Sequence, residues 1–316
     1  MEPRGKSEAK AGAEVWAVSP GDEACRGRLD RFLAVKADAS RSRVRRWLER
    51  GAVRVGGRVA RSGGQALQMG QVVTLSRPAS TWAEAAGVSL RVLAEGKDWV
   101  AVDKPVGVPV HPLEPDEDGT LLGAVAADFP SVVGVGEEGE LRSGVVHRLD
   151  VDTSGVVLFA LSDTRWRTLR DAFTEHRVQK TYVALAAGRL ERDGAATEHL
   201  AVTRRRPARV EVVSAGRASG LSGSRACSLA WRVAAIGKDC TRVEVDLHTG
   251  FLHQVRVMFA AMGHPLLGDA AYAPPEVAER APRQMLHAAS IAVDDANAVA
   301  AWPGDLREVA EREGVG

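Results

Sequence analysis

The stretch His147-Arg148-Leu149-Asp150-Val151-Asp152-Thr153-Ser154-Gly155 gathers a histidine, an arginine and two carboxylates directly ahead of the apolar run Val156–Leu161. Side chains of these types on a turn at the mouth of a buried strand can move protons, stabilise a cationic carbon or hold a phosphate, and such turns are where sheet proteins carry reactive groups. The same residues also fit an Asx-type turn in which Asp150 or Asp152 caps its own backbone amides and Thr-Ser-Gly makes the bend. A hydrolase built on His147 and Asp150 is a weaker reading, because no second acid or nucleophile sits at matching spacing. GxxxxGK[ST] does not occur, and the one GxGxxG, Gly134 to Gly139, follows Pro130 with no strand-length apolar run before it and opens no helical pattern, so nucleotide cofactors gain no support. The three cysteines, Cys25, Cys227 and Cys240, include no CxxC pair, which argues against a disulfide framework and against a zinc site.

Elements that could position this loop are legible on either side of it. Val156–Leu161 reads as a buried strand, and Ser162 then opens an amphipathic helix carrying Trp166, Leu169 and Phe173 on one face. Upstream, Trp99–Val102 is a short strand ended by Asp103-Lys104-Pro105-Val106-Gly107, where Pro and Gly force a turn. Downstream, Lys180–Ala186 and Arg242–Leu247 alternate like strands, and His253–Met262 is a helix stopped by Gly263.

The 316 residues carry 42 Lys and Arg against 41 Asp and Glu, and a net charge of +1 taken alone disfavours a strongly basic nucleic-acid binder. The average hides a split. Residues 26–61 hold 12 basic and three acidic side chains, for +9, and residues 201–232 hold seven arginines and Glu211, for +6, which leaves −14 on the remainder. With 45% hydrophobic and 26% charged residues the chain is neither disordered nor fibrous and is long enough for two domains. The first twenty residues lack an apolar stretch of signal-peptide length, and the longest apolar runs fall far short of the roughly 18–20 residues of a membrane helix. A cytoplasmic protein without a membrane partner is expected.

The first basic block has helical and hairpin grammar. Leu29, Phe32 and Leu33 form one apolar stripe; Ser40 is placed to cap a second helix, Arg41–Arg50, whose apolar side is Val44, Trp47 and Leu48 and which Gly51 ends. Val53–Val55 and Arg58–Ala60 then flank Gly56-Gly57, a two-residue hairpin turn, and Gln71–Leu75 adds a strand. Two short helices and a hairpin studded with arginine resemble the alpha-L RNA-binding module. The resemblance implies that Arg28, Arg41, Arg45, Arg46 and Arg54 contact RNA phosphates. Residues 1–25 are expected to be a disordered segment, 26–77 the RNA-binding module, 78–87 a linker and 88–316 a catalytic domain. The stretch Glu191–Arg232 reads as a substrate-facing insertion or an ordinary solvated loop.

Taken together the motifs are similar to those of the RluA-type RNA pseudouridine synthases. His147 to Gly155 matches that family's H-R-L-D-x-x-T-S-G signature in full; Asp103-Lys104-Pro105 with Gly107, His111 and Pro112 matches its D-K-P-x-G-x-x-x-H-P element, and Lys180-Thr181-Tyr182 its K-x-Y. Thr249-Gly250 with His253-Gln254-Val255-Arg256-Val257, then Gly263-His264-Pro265 to Gly268-Asp269, and finally Leu286-His287-Ala288, complete the series in order. Phe251 and Leu252 replace the family's usual Arg and Thr, and Met258 stands where His is common. The resemblance implies an α+β catalytic domain around a mixed, mainly antiparallel β-sheet (the pseudouridine synthase fold). It also implies isomerisation of a flipped-out uridine in ribosomal or transfer RNA, without a metal or other cofactor, by a monomer. Asp150 would be the catalytic carboxylate at the ribose C1′, Arg256 its cationic partner through a two-pronged pair, and Tyr182 the base that removes a proton from the re-attached uracil. His147, Arg148, Leu149, Thr153, His253 and Gln254 would bind substrate, with Arg148 and Leu149 filling the space the base leaves and His147 shaping the loop. A non-catalytic RNA-binding or ribosome-assembly protein on the same scaffold is the alternative.

Overall fold

The apolar stripes of the basic block become the core of a small N-terminal unit. Leu29, Phe32 and Leu33 on α1 (Leu29–Lys36) are completely buried, and Val44, Trp47 and Leu48 on α2 (Arg41–Glu49) close over them. The computed structural model describes residues 13–19, 27–37, 41–49, 51–76, 88–114, 117–137, 140–205, 207–218 and 223–316. The expected cap Ser40 and linker 78–87 lie outside them, as do Cys25 and the side chains of Arg41 and Arg46. Strands β1 (Ala13–Ala17), β2 (Val53–Val55), β3 (Arg58–Val59) and β4 (Val72–Ser76) form an antiparallel sheet in the order β1-β4-β2-β3. The β2–β3 turn has φ of 56° at Gly56 and 80° at Gly57, the left-handed pair that a two-residue hairpin of this twist requires. Strand β1 corrects the expectation of disorder through residue 25. Its alternation lets Trp16, and Val18 just beyond it, pack partly buried against the unit's core while Val15 faces out.

The larger unit is built on one sheet. Its strands are β5 (Val92–Glu95), β6 (Trp99–Lys104), β7 (Ser154–Ala160), β8 (Gln179–Ala187), β9 (Gly194–Arg205), β10 (Ala208–Val213), β11 (Arg225–Ile236), β12 (Cys240–Leu247), β13 (Leu286–Val293) and β14 (Ala296–Val299). They run in the order β10-β9-β11-β12-β8-β13-β7-β6-β5, with β14 also against β13. Every pairing is antiparallel except β13 with β7, so the sheet is mixed and mainly antiparallel, as expected. The helices are α3 (Leu121–Asp128), α4 (Asp163–Thr174), α5 (Ala215–Ala218), α6 (Gln254–Ala261), α7 (Pro275–Ala278) and α8 (Gly304–Arg312). Ser162 caps α4 by accepting from Arg165 N at 3.2 Å, and Trp166 and Leu169 bury beneath it against the wholly buried β7. The stretch Glu191–Arg232 is no loop: β9, β10 and most of β11 lie in it and extend the sheet at one edge. Among the described residues no helix is long and apolar enough to cross a membrane, and Cys227 and Cys240 are free and buried.

The loop carrying Asp150 is held at its C-terminal end by β7, the strand it leads into. Ser154 and Gly155 open β7 and pair in parallel with His287 and Ala288 of β13. Gly155 has φ 114°, and a Cβ there would stand 2.2 Å from the Ala288 carbonyl oxygen. Only glycine allows this close approach of two backbones.

Candidate active site

Two buried cations clamp the Asp150 loop by its carbonyls. Lys104, at the end of β6, is wholly buried and donates from Nζ to the carbonyls of Pro105 and Val108 at 2.8 Å and of Val151 at 2.7 Å. Its burial lowers the ammonium's pKa to about 7, while three acceptors give the charged form the partners it needs. Arg283 holds Asp305 through Nε and Nη2 and donates from Nη1 to the Asp152 carbonyl at 3.0 Å. Neither residue stands out in the sequence beyond the D-K-P motif, because a buried cation that serves backbone carbonyls has no spacing of its own.

His147 also holds the loop. Its Nε2 accepts from Leu158 N at 2.9 Å, and its ring stacks on Phe173 at 5.0 Å. Burial, then the charge of Lys180, push its pKa down to about 3, so the ring is neutral with its proton on Nδ1. Of the two residues that follow it, Arg148 is exposed and Leu149 is buried, so the arginine alone presents its side chain outward. Thr153 donates its backbone N–H to the Asp150 carbonyl, and its buried hydroxyl has no hydrogen-bond partner among the described residues.

Asp150 meets Arg256 of α6. Arg256 Nη1 donates to Asp150 Oδ2 at 2.9 Å, while Nε and Nη2 both grip Asp269 at 2.8 Å. The two-pronged pair expected for Asp150 therefore belongs to Asp269, a fully buried carboxylate that the sequence marked only as the end of a motif. Burial opposes the charge on Arg256, but the hydrogen bond and charge of Asp269 and then the charge of Asp150 outweigh it and hold the guanidinium above its ordinary value. The second oxygen, Asp150 Oδ1, lies 3.9 Å from His253 Nε2. Gln254 does not face the site freely. Its Oε1 accepts from Thr249 Oγ1 and Phe251 N, and its Nε2 donates to the Ser228 carbonyl, so the amide knits the 249–254 turn to β11.

Asp150 opens into a cavity of about 640 Å³ whose walls include Tyr182, Lys180, Phe173, Cys227 and Leu286. Tyr182 on β8 is buried, and burial together with the charge of Asp150 raises its phenol further above the usual value. Lys180 Nζ donates to the Thr249 carbonyl at 3.1 Å, and burial lowers its pKa to about 8. Phe251 and Leu252, partly buried, line the same cavity in place of the family's Arg and Thr, and Met258 is completely buried. The volume accommodates one flat heterocycle with its sugar, and the lining combines aromatic and aliphatic carbon with a carboxylate–guanidinium pair.

In the N-terminal unit Arg28 forks onto Asp30 through Nε and Nη2 at 3.0 and 2.8 Å, Arg45 reaches Glu49 at 2.8 Å, and Arg54 donates to the Gly57 carbonyl at 3.1 Å. All three are exposed, and contacts of this kind are weak enough to exchange for phosphates. Arg41 and Arg46 belong to α2, which also carries the buried face of Val44, Trp47 and Leu48.

Residues 98–261 match the RNA pseudouridylate synthase family, and residues 27–73 match the S4 domain. An RNA pseudouridine synthase of Chloroflexus aurantiacus is 35% identical over 265 residues, which span 83% of this chain and 80% of that protein. The ribosomal large subunit pseudouridine synthase D of Vibrio parahaemolyticus is 32% identical over 249 residues, 78% of this chain and 72% of the relative. Among solved structures, human RNA pseudouridylate synthase domain containing 1 shares the fold, with a TM-score of 0.54 at 22% identity over 72% of this chain and 86% of that one. With fold, ordered motifs and sequence identity in agreement, the chain belongs to the RluA-type RNA pseudouridine synthases and is an isomerase with an N-terminal S4 RNA-binding domain.

Proposed function

We propose that this synthase isomerises uridines in structured ribosomal RNA, with Asp150 as the catalytic carboxylate. The observation that carries the reading is the single Arg256 Nη1 contact to Asp150 Oδ2, which leaves Oδ1 clear of the guanidinium at a cavity of nucleoside size. Isomerisation breaks the bond from N1 to C1′, turns the uracil, joins C5 to C1′ and releases the C5 proton while N1 takes one up, with no net change in oxidation state. As the glycosidic bond breaks, positive charge grows on C1′, and a carboxylate at that carbon stabilises or captures it. Because its leaving group is a stabilised uracil anion, one carboxylate suffices where a glycosidase needs two. Arg256 holds Asp150 in place through this charge shift. Tyr182 forms a wall for the base; its raised phenol disfavours a standing phenolate, so its hydroxyl accepts the C5 proton as it gives its own to water. Exposed Arg148 is placed to enter the stack as the target base leaves it.

The large-subunit relatives support ribosomal RNA as the target, and the S4 domain with exposed Arg28, Arg45 and Arg54 would add phosphate contacts. We further infer a monomer working in the cytoplasm; a solution mass near 33.6 kDa would support the monomer. Mapping pseudouridines in ribosomal and transfer RNA from cells with and without the gene tests the function. Loss of a site in large-subunit RNA supports it. Loss only in transfer RNA would overturn the target, and no loss in either, with no turnover by purified protein, would favour the non-catalytic reading.

A further inference from the structure

Tyr272 lies three residues beyond Asp269, outside every motif that the sequence offered, yet it touches both His253 and Arg256. Its hydroxyl accepts from Val210 N of β10 at 3.0 Å and lies 2.7 Å from His253 Nδ1. Its ring is met by the guanidiniums of Arg256, at 5.1 Å from the centroid, and Arg209, at 5.2 Å, and Arg209 is tied down by its bond to the Ala271 carbonyl at 2.6 Å.

A phenol has one proton to give. If His253 Nδ1 carried a proton, the Tyr272 oxygen would accept twice and its own hydrogen would be left over, while the bare Nε2 would turn its lone pair toward the Asp150 carboxylate. If instead Tyr272 donates to Nδ1, both ends are satisfied: Val210 N–H is accepted, Nδ1 is occupied, and Nε2–H points at Asp150 Oδ1 from 3.9 Å. Burial lowers the pKa of His253 and raises that of Tyr272, so both stay neutral in this arrangement. His253 is pinned from the backbone as well, in a left-handed conformation with φ 54° at the start of α6.

We propose that Tyr272 is a positioning residue: by donating to His253 Nδ1 it fixes the tautomer that aims Nε2–H at Asp150 Oδ1, the oxygen that Arg256 leaves free. This rests on the reading of Asp150 as the catalytic carboxylate. Nε2 stands 3.9 Å from Oδ1, and a small rotation of the carboxylate as the nucleoside enters would close this to a hydrogen bond. Two donors, from the first turn of α6 and from its N-cap, then set the plane of the carboxyl group, Arg256 on one oxygen and His253 on the other. The Val210 bond makes the same hydroxyl a point, beside the Arg209 contacts, where edge strand β10, in the basic stretch 201–232, joins the site.

The full-length protein with nitrogen-labelled histidine tests the tautomer directly. Long-range proton–nitrogen correlation spectra report which ring nitrogen bears the proton, and loss of one signal set in His253→Gln assigns it. The proposal expects His253 protonated at Nε2 in the wild type and shifted toward Nδ1 in Tyr272→Phe. Kinetically, Tyr272→Phe should lower kcat about tenfold, the scale of one lost hydrogen bond, with KM for RNA nearly unchanged. Because Tyr272 acts through His253, the double variant Tyr272→Phe with His253→Gln should cost no more than His253→Gln alone. A wild-type His253 protonated at Nδ1 would overturn the proposal whatever the variants do. So would an unchanged kcat in a Tyr272→Phe protein whose thermal unfolding shows it folded, or strict additivity in the double variant. If Asp150→Asn keeps turnover, the catalytic reading itself fails; if Asp150→Asn is inactive and Tyr272→Phe is normal, only this inference does.

Discussion

Arg256 reaches Asp150 with one nitrogen because Asp269 holds the other two. The Asp269 carboxylate is fully buried and also accepts the backbone N–H groups of Ala271 and Tyr272, so the guanidinium plane is set by a partner that never meets substrate. That leaves Nη1 as a fixed donor to Asp150.

Asp269→Asn keeps the shape but removes the charge that balances Arg256. Removing one partner of a buried ion pair typically costs about 3–5 kcal/mol. The variant should therefore unfold at distinctly lower urea concentration and lose most of its turnover. Wild-type stability would show that Asp150 alone can hold the guanidinium.

Gly155→Ala tests the seam between β7 and β13. The new Cβ would meet the Ala288 carbonyl oxygen at 2.2 Å, in a backbone conformation that alanine resists. Neither strand can yield without moving the loop that carries Asp150. A loss of at least about 2 kcal/mol in unfolding free energy is expected, together with impaired catalysis. A fully active, equally stable variant would mean that the two strands separate easily.

His147 makes stability depend on pH in a defined direction. Its pKa is about 3 in the folded chain against an ordinary 6.5, so between those limits the unfolded chain binds the proton and the folded one does not. Stability therefore falls as pH drops through this window, and above it this group contributes no dependence. His147→Gln, which can still accept from Leu158 N, should flatten that part of the curve measured by urea unfolding. An unaltered acid slope would show that the ring is protonated in the folded chain.

Tyr182→Phe keeps the wall of the base pocket and removes the hydroxyl. If that hydroxyl passes on the C5 proton, kcat should drop by about two orders of magnitude or more while RNA affinity holds. Because the phenol is pushed above its usual range, the wild-type rate should show no rise near the ordinary tyrosine pKa. Normal turnover by the variant would move proton removal to another group.

The reaction class was legible because a catalytic loop is a contiguous string: His147 to Gly155 carries its meaning in order and spacing. Strands with continuous or alternating apolar residues, such as β7 and β12, were legible for the same local reason. The role of Asp269 was not, because a bidentate pair depends on where α6 and the turn after it meet in space. Lys104 and Arg283 were hidden likewise: burying a cation against backbone carbonyls leaves no trace in neighbouring residues. The strands β9 to β11 read as insertion or loop because their arginines and alanines mask the two-residue period, and only pairing across the sheet reveals it.

The most direct test is turnover by Asp150→Asn on RNA labelled with tritium at uridine C5, since each isomerisation releases that hydrogen to water. Purified wild-type protein should release tritium from its target RNA. The variant should release none while binding the same RNA within about twofold of wild type, because one isosteric change leaves the surface arginines in place. Tritium release by Asp150→Asn at a rate near wild type would contradict the assignment of Asp150.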